Sequence, residues 1–408
     1  MSTAPDAVSV LRDPATIRAR CGQVFAAALA GRTSHFALDM TRLADCARFV
    51  ARVMDDAYPD GRVPFHARWR HFVCGGTDRW APVAALLAGR SPIERLRAAF
   101  DLAIVSVLLD AGAGGAWRYR AVDGAVLTRS EGLAVASLEM FAAGMFSADP
   151  RDPLRADAAA LAALDAAALA RGFQAGETNP LIGLEGRAEL LRRLGATILD
   201  SAPRFAGLGR IGGLADVLVG GAPDGKLHAA GILQALLEAL GPIWPARVVV
   251  AGIGLGDVGR HPAARAGDGT DGLVPFHKLS QWLAYSLIEP LQAHGLEVTA
   301  LDALTGLPEY RNGGLFVDTG VIVPRHADVL ARAHEATSEL VVEWRALTVC
   351  LLDRVAAAIR AARGLDAVSL PLAKVLEGGT WAAGRRIARE KRPDGRPPIA
   401  VISDGTVF

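Results

Sequence analysis

Apolar residues along this chain recur at spacings of three and four rather than two, and runs of β-branched residues are scarce. That periodicity commits most of the chain to amphipathic helices. Alanine, leucine and arginine, all favourable in helices, are abundant throughout. The pattern predicts a mainly α fold, with helices over 14–30, 40–57, 92–110, 129–143, 155–171, 185–194, 229–240, 277–294, 327–362 and 370–390. A few short strands are expected at 247–251 and 297–301, and Tyr119 pairs with 125–128 across an Asp123-Gly124 turn.

With 51% hydrophobic residues over 408 positions the chain can bury a large core. It is expected to form a single unit, 1–408, or two helical lobes meeting near the Asp/Pro-rich stretch 146–153 or the glycine-rich stretch 202–225. Forty-four basic against 43 acidic residues leave a net charge of +1, which lacks the excess that tracking a nucleic acid requires. The longest apolar run, Leu102 to Leu109, is too short to span a bilayer, and the first residues, with Asp6 and Asp13, do not read as a leader. Cys21, Cys46, Cys74 and Cys350 are too scattered for a zinc site or a disulfide framework. The expectation is a cytoplasmic protein that binds a small molecule and needs no metal or cofactor, its oligomeric state left open.

Chemistry-bearing residues concentrate between Thr270 and Gly320, where Asp271, His277, Lys278, Glu309, Tyr310, Arg311, Asn312 and Asp318 alternate with glycines and aromatics. Pro275 marks a helix start, with Lys278 in its first turn, where free backbone N–H groups would help it hold a phosphate. The face through Lys278, Gln281, Tyr285 and Glu289 lines a cleft or is simply solvated. Gly254-Leu-Gly-Asp-Val-Gly259 matches a dinucleotide fingerprint, but Arg260-His-Pro and more glycines follow it where a helix should start, so no dinucleotide is expected. His66, Arg68 and Trp69 sit in an Arg/His/aromatic cluster suited to binding an anion and a planar group, or to a structural network. Glu343 and Arg345 read as a mutual brace, and Glu377 as either brace or cavity residue.

Seven segments together carry a resemblance: His66-Ala-Arg-Trp-Arg-His-Phe72, Leu109-Asp-Ala-Gly-Ala-Gly114, Arg129-Ser-Glu-Gly-Leu133, Asn179-Pro-Leu-Ile-Gly-Leu-Glu-Gly186, Asp271 to Gln281, Pro308 to Gly320 and Ser403-Asp-Gly-Thr-Val-Phe408. On these the chain strongly resembles the uracil-catabolism protein four family, also called the Urg-three type, over nearly its whole length. The resemblance implies a place in a pyrimidine degradation route in which uracil is ribosylated, the ring is opened, and ribosylurea-type intermediates give up urea.

A remoter likeness is to the queuosine-salvage N-glycosidases, which are helical and DNA-glycosylase-like. Phe276-His-Lys-Leu-Ser-Gln281, Leu307-Pro-Glu-Tyr-Arg311 and Val342-Glu-Trp-Arg345 look like their Phe-Tyr-Lys-Arg-Ala-Gln, Phe-Ala-Asp-Tyr-Arg and Val-Glu-x-Arg motifs. Glu309 replaces their catalytic Asp, and Asn312-Gly-Gly314 departs from their pattern.

The likeness implies a hydrolytic N-ribosidase that splits a ribosylurea-like compound, with or without a 5′-phosphate. Glu309 would stabilise the oxocarbenium-like transition state, and Asp271, His277 or Asp318 would protonate the leaving urea. His66, Arg68, Trp69, Lys278, Tyr310, Arg311 and Asn312 would bind substrate. An amidohydrolase acting on the ureido C–N bond and a non-catalytic partner of a pathway enzyme are the alternatives. The site model requires Asp271, Lys278, Glu309 and Arg311 to converge on one cleft.

Overall fold

The computed structural model describes residues 4–245 and 247–402, so the Ser403–Phe408 motif lies outside the described residues. Its framework is helical, and the helices that shape the site are numbered here as α1 (Pro14–Leu29), α2 (Leu43–Ala57), α3 (Pro92–Leu108), α4 (Arg129–Ala142), α5 (Leu184–Asp200), α6 (Ala229–Leu240), α7 (Lys278–His294), α8 (Tyr310–Asp318), α9 (Glu339–Arg363) and α10 (Trp381–Lys391). The strands are two or three residues long and pair only two at a time, including the Tyr119–Arg120/Val126–Leu127 hairpin. No helix among the described residues is long and apolar enough to cross a membrane.

Polar caps placed the helix ends that periodicity alone blurred. The Asp13 side chain accepts from Ala15 N–H and Pro14 opens α1, while Ser91 and Pro92 do the same for α3. The expected helix 155–171 is two short ones, Ala158–Ala162 and Ala166–Gly172, because Asp165 caps the second. The expected helix 327–362 is also divided: a strand, Ala333–Glu335, precedes α9, and Ser338 caps it. The expected helix 370–390 holds a π-turn, Leu376–Thr380, between Leu372–Val375 and α10.

One buried cluster runs from Ile17 to Ile399, with α3, α7 and α9 at its centre. Residues of α9 from Leu340 to Leu352 are all buried, so this helix is the axis on which the others pack. A smaller cluster of Val8, Leu11, Val248, Leu255, Val258 and Leu273 covers the start of α7. The dinucleotide-like segment belongs to this region. It forms strands Ile253–Gly254 and Val258–Arg260, the latter antiparallel to Leu273–Pro275, in a strand-turn-strand setting with no helix after the glycines.

Candidate functional site

Helices α7 and α8 begin close together, and each start is capped by a carboxylate. At α8, Glu309 accepts the backbone N–H of Arg311 at 2.7 Å and of Asn312 at 2.6 Å, one on each oxygen. At α7, the Lys278 N–H donates to Asp257 Oδ2 at 2.9 Å. Arg345 forks onto both oxygens of Asp257 at 2.7 Å and lies 4.1 Å from the Phe276 ring centroid. The guanidinium holds the Asp257 carboxyl far below the ordinary range despite its burial. His277, just before α7, is left-handed at φ 46°, a strained conformation for a non-glycine residue, and its Nε2 bonds the Leu11 carbonyl at 2.9 Å.

A cavity of about 360 Å³ opens between these helix starts. Lys278 and Trp282 reach it from successive turns of α7, and Glu309, Tyr310 and Arg311 from the start of α8. Asp110 and the glycine loop Ala111–Gly115 follow α3, Arg129 and Ser130 open α4, and His66, His71 and Trp381 complete the wall. Arg129, like His277, is left-handed, at φ 53°.

The site holds two carboxylates with unusual affinity for protons. Burial pushes the Glu309 carboxyl up, countered by its two backbone N–H donors and by Lys278. Burial likewise raises Asp110, against the pull of Arg68, whose Nη1 lies 2.7 Å from Asp110 Oδ2. The Lys278 ammonium is drawn down by burial and partly restored by Glu309. It has no hydrogen-bond or ion-pair partner among the described residues. His71 is kept neutral by burial and by nearby Arg68.

The cavity thus offers paired acid and base functions, cationic side chains at Lys278, Arg129 and Arg311, and indole faces for a planar group. The glycine loop is fixed from behind: Arg187, buried, donates Nε to the Leu109 carbonyl at 2.8 Å and Nη2 to that of Ala111 at 2.7 Å.

The family model described as "Protein of unknown function (DUF1688)" matches residues 10–408. The chain belongs to this family. Protein urg3 of Schizosaccharomyces pombe is 39% identical over 416 residues, and Uracil catabolism protein 4 of Lachancea kluyveri is 35% identical over 444 residues. In both cases all of each chain is covered. The expected membership of the uracil-catabolism protein four family therefore holds.

In this DUF1688 member the sequence-derived site residues divide. His66, Lys278, Glu309, Tyr310 and Arg311 share the cavity, with the Arg311 guanidinium 5.1 Å from the Tyr310 ring centroid. Asp271 does not: it is exposed and closes a turn by accepting Ala266 N–H at 2.7 Å. His277 is buried behind α7, and Asp318, at the far end of α8, pairs with Arg392 at 2.5 Å. Asn312 is buried and donates Nδ2 to the Leu307 carbonyl at 3.0 Å.

Arg68 is fully buried and positions Asp110 rather than facing the cavity. Trp69 lines a separate cavity of about 420 Å³ with Trp80 and Glu289, its indole N–H donating to the Ser286 carbonyl at 2.7 Å. The polar face of α7 is also split: Gln281 and Tyr285 bond Thr305, and Glu289 pairs with Arg70. Because Asp257 accepts the Lys278 N–H, that group is not free for a phosphate, and of the polar face only the Lys278 side chain reaches the cavity. Arg345 pairs with Asp257 rather than bracing Glu343, which accepts Phe36 N–H at 2.8 Å.

Sequence reasoning missed Asp110, His71, Trp282 and Trp381 as cavity residues. A carboxylate ending an apolar helix just before Gly112, Gly114 and Gly115 was the available signal for Asp110. Among the described residues, His35, Glu339 and Glu343 bring potential metal-ligand atoms within 4.8 Å of one another, and none of them lines this cavity.

Proposed function

We propose that this protein acts in uracil catabolism as a hydrolytic N-ribosidase, releasing urea from a ribosylurea-like intermediate with or without a 5′-phosphate. The name of the relative Uracil catabolism protein 4 supports the pathway. The observation that carries the chemistry is that Glu309 and Asp110 face one aromatic-walled cavity with Lys278, Glu309 having no guanidinium hydrogen-bonded to it among the described residues.

Breaking the bond from the anomeric carbon to nitrogen builds positive charge on that carbon and on the ring oxygen. An ionised Glu309, half-buried on the cavity wall, stabilises that charge more than a fully exposed carboxylate would. Each Glu309 oxygen accepts one backbone N–H, so a second lone pair on each remains for water or the sugar. Asp110, bonded by Arg68 and with its proton affinity raised by burial, is the second carboxylate, placed to accept the ribose hydroxyls or the proton of the attacking water. Lys278, Arg129 and Arg311 supply charge for a 5′-phosphate.

The test is to incubate the protein with ribosylurea and with its 5′-phosphate separately and to assay urea and ammonia. Urea with free sugar is the expected product, and the faster substrate settles the phosphate question. Ammonia without urea would move the reaction to the ureido C–N bond, and no product from either substrate would overturn the assignment.

A further inference from the structure

A urea anion is a poor leaving group, so the reaction needs a proton donor inside the cavity. Asp271, His277 and Asp318 all lie outside its lining. We infer that His66 is that donor and that Glu377 positions it; this rests on the ribosidase reading.

His66 lines the cavity and is 6% exposed. Its Nδ1 lies 2.7 Å from Glu377 Oε2, inside the wall, with the two side chains 7% and 15% exposed. A carboxylate at that distance accepts a hydrogen bond from Nδ1–H, which fixes the ring and leaves Nε2 for the cavity. Nε2 has no hydrogen-bond partner among the described residues, and it is not sealed from solvent as His71 Nδ1 is. His71 is the poorer donor on both counts, since Arg68 and burial keep it neutral.

The backbone is shaped for this pair. Glu377 sits on the π-turn Leu376–Thr380, a deformation that often marks functional positions. Two glycines let that turn press against its neighbours: a Cβ on Gly378 would lie 2.7 Å from Val63 Cγ1, and one on Gly379 2.6 Å from Val50 Cγ1. The His66 N–H donates to the Ala373 carbonyl at 3.0 Å, tying both members to one segment. Trp282 and Trp381 flank the imidazole, with ring centroids at 6.3 and 6.2 Å, and both line the cavity, where a planar ureido group can meet an aromatic face.

The step balances as follows. The C–N bond breaks with its electron pair going to nitrogen, and nitrogen takes the Nε2 proton of the imidazolium to leave as neutral urea. Water adds to the anomeric carbon and gives its proton to a cavity carboxylate, from which it returns through solvent to His66. Glu377 stabilises the imidazolium and itself transfers no proton.

The experiment compares ribosylurea with ribosyl fluoride, whose leaving group departs without a proton. General acid catalysis contributes about 10²–10⁴-fold. His66→Gln should therefore lose about a hundred-fold or more in kcat on ribosylurea and less than about ten-fold on the fluoride. Glu377→Gln should show the same selectivity with a smaller loss, and thermal melts check that both variants fold. Equal losses on the two substrates would overturn the assignment of His66.

A second readout does not depend on turnover. Nitrogen-15 NMR of the wild type should show a slowly exchanging, downfield Nδ1–H that is lost in Glu377→Gln. If the wild type cleaves neither compound, the ribosidase reading fails and the resonance alone decides the pair; its absence would overturn the pair whatever the turnover.

Discussion

Asp257 and Glu309 do the same local work and end in opposite electrostatic states. Each is a carboxylate in a largely buried setting that caps the start of a helix, α7 in one case and α8 in the other. Arg345 forks onto Asp257 and drives its pKa down. Among the described residues Glu309 has two backbone N–H donors and a nearby Lys278 that is not bonded to it, and burial wins, so its pKa rises. A capping carboxylate matched by a guanidinium is structural, because its charge is fully neutralised. One left short of a counter-charge beside a cavity has charge to offer a cationic transition state.

The largest expected effect breaks the matched half of this comparison. Arg345→Met leaves Asp257 buried without its guanidinium and should cost about 3–5 kcal/mol, read from the urea midpoint. Because Asp257 is depressed in the fold, its contribution is present above the unfolded value of about 3.9 and is lost as pH falls through the folded one. The wild type should therefore be more sensitive to acid than Arg345→Met is. Equal pH dependence would show that the pair adds nothing.

On the unmatched side, Lys278→Ala should weaken binding of the 5′-phosphorylated substrate by roughly ten- to a hundred-fold, the equivalent of about 1.5–3 kcal/mol for a charge-assisted hydrogen bond. Binding of the free riboside should fall less. Equal losses, read by calorimetry, would mean that Lys278 holds something other than phosphate.

The same substitution sharpens the electrostatic contrast. If ionised Glu309 is the working form, kcat/KM should rise with pH through a value above the usual carboxylate range of about 4.3, because burial raises that group. Lys278 opposes this rise, so Lys278→Ala should move the acid limb to still higher pH. A limb that stays put or moves down would remove Glu309 from the profile. The smallest effect belongs to Asp271→Asn, an exposed turn residue outside the cavity, which should leave urea release nearly unchanged and stability within about 0.5 kcal/mol.

Helix existence was legible because a long periodic stripe such as α9 must bury one face whatever surrounds it. The breaks before α9 and at Asp165 were not, since a single capping side chain, Ser338 or Asp165, outweighs the surrounding pattern. Lys278, Glu309 and Arg311 could be grouped in advance because a family likeness and two nearby helix starts both pointed to them. Asp257 caps a helix from 21 residues upstream, and Arg345 reaches it from α9, so their roles exist only in the tertiary fold. Trp282 reads in sequence as one more apolar residue of α7, and only its position one turn beyond Lys278 places it on the cavity wall. His66 was visible as a binding residue, but not Glu377 as its partner, because 311 positions separate them.

The central claim is that Glu309 supplies charge rather than shape. Glu309→Gln keeps the size of the side chain and an oxygen to accept a backbone N–H, so a thermal melt should show the fold intact. The decisive measurement is the single-turnover rate of urea release from ribosylurea for this variant against the wild type. A loss of about a hundred-fold or more with substrate affinity nearly unchanged is the predicted result, since the missing interaction belongs to the transition state. Near-wild-type release from a stably folded Glu309→Gln protein would contradict the account and pass the carboxylate's role to Asp110.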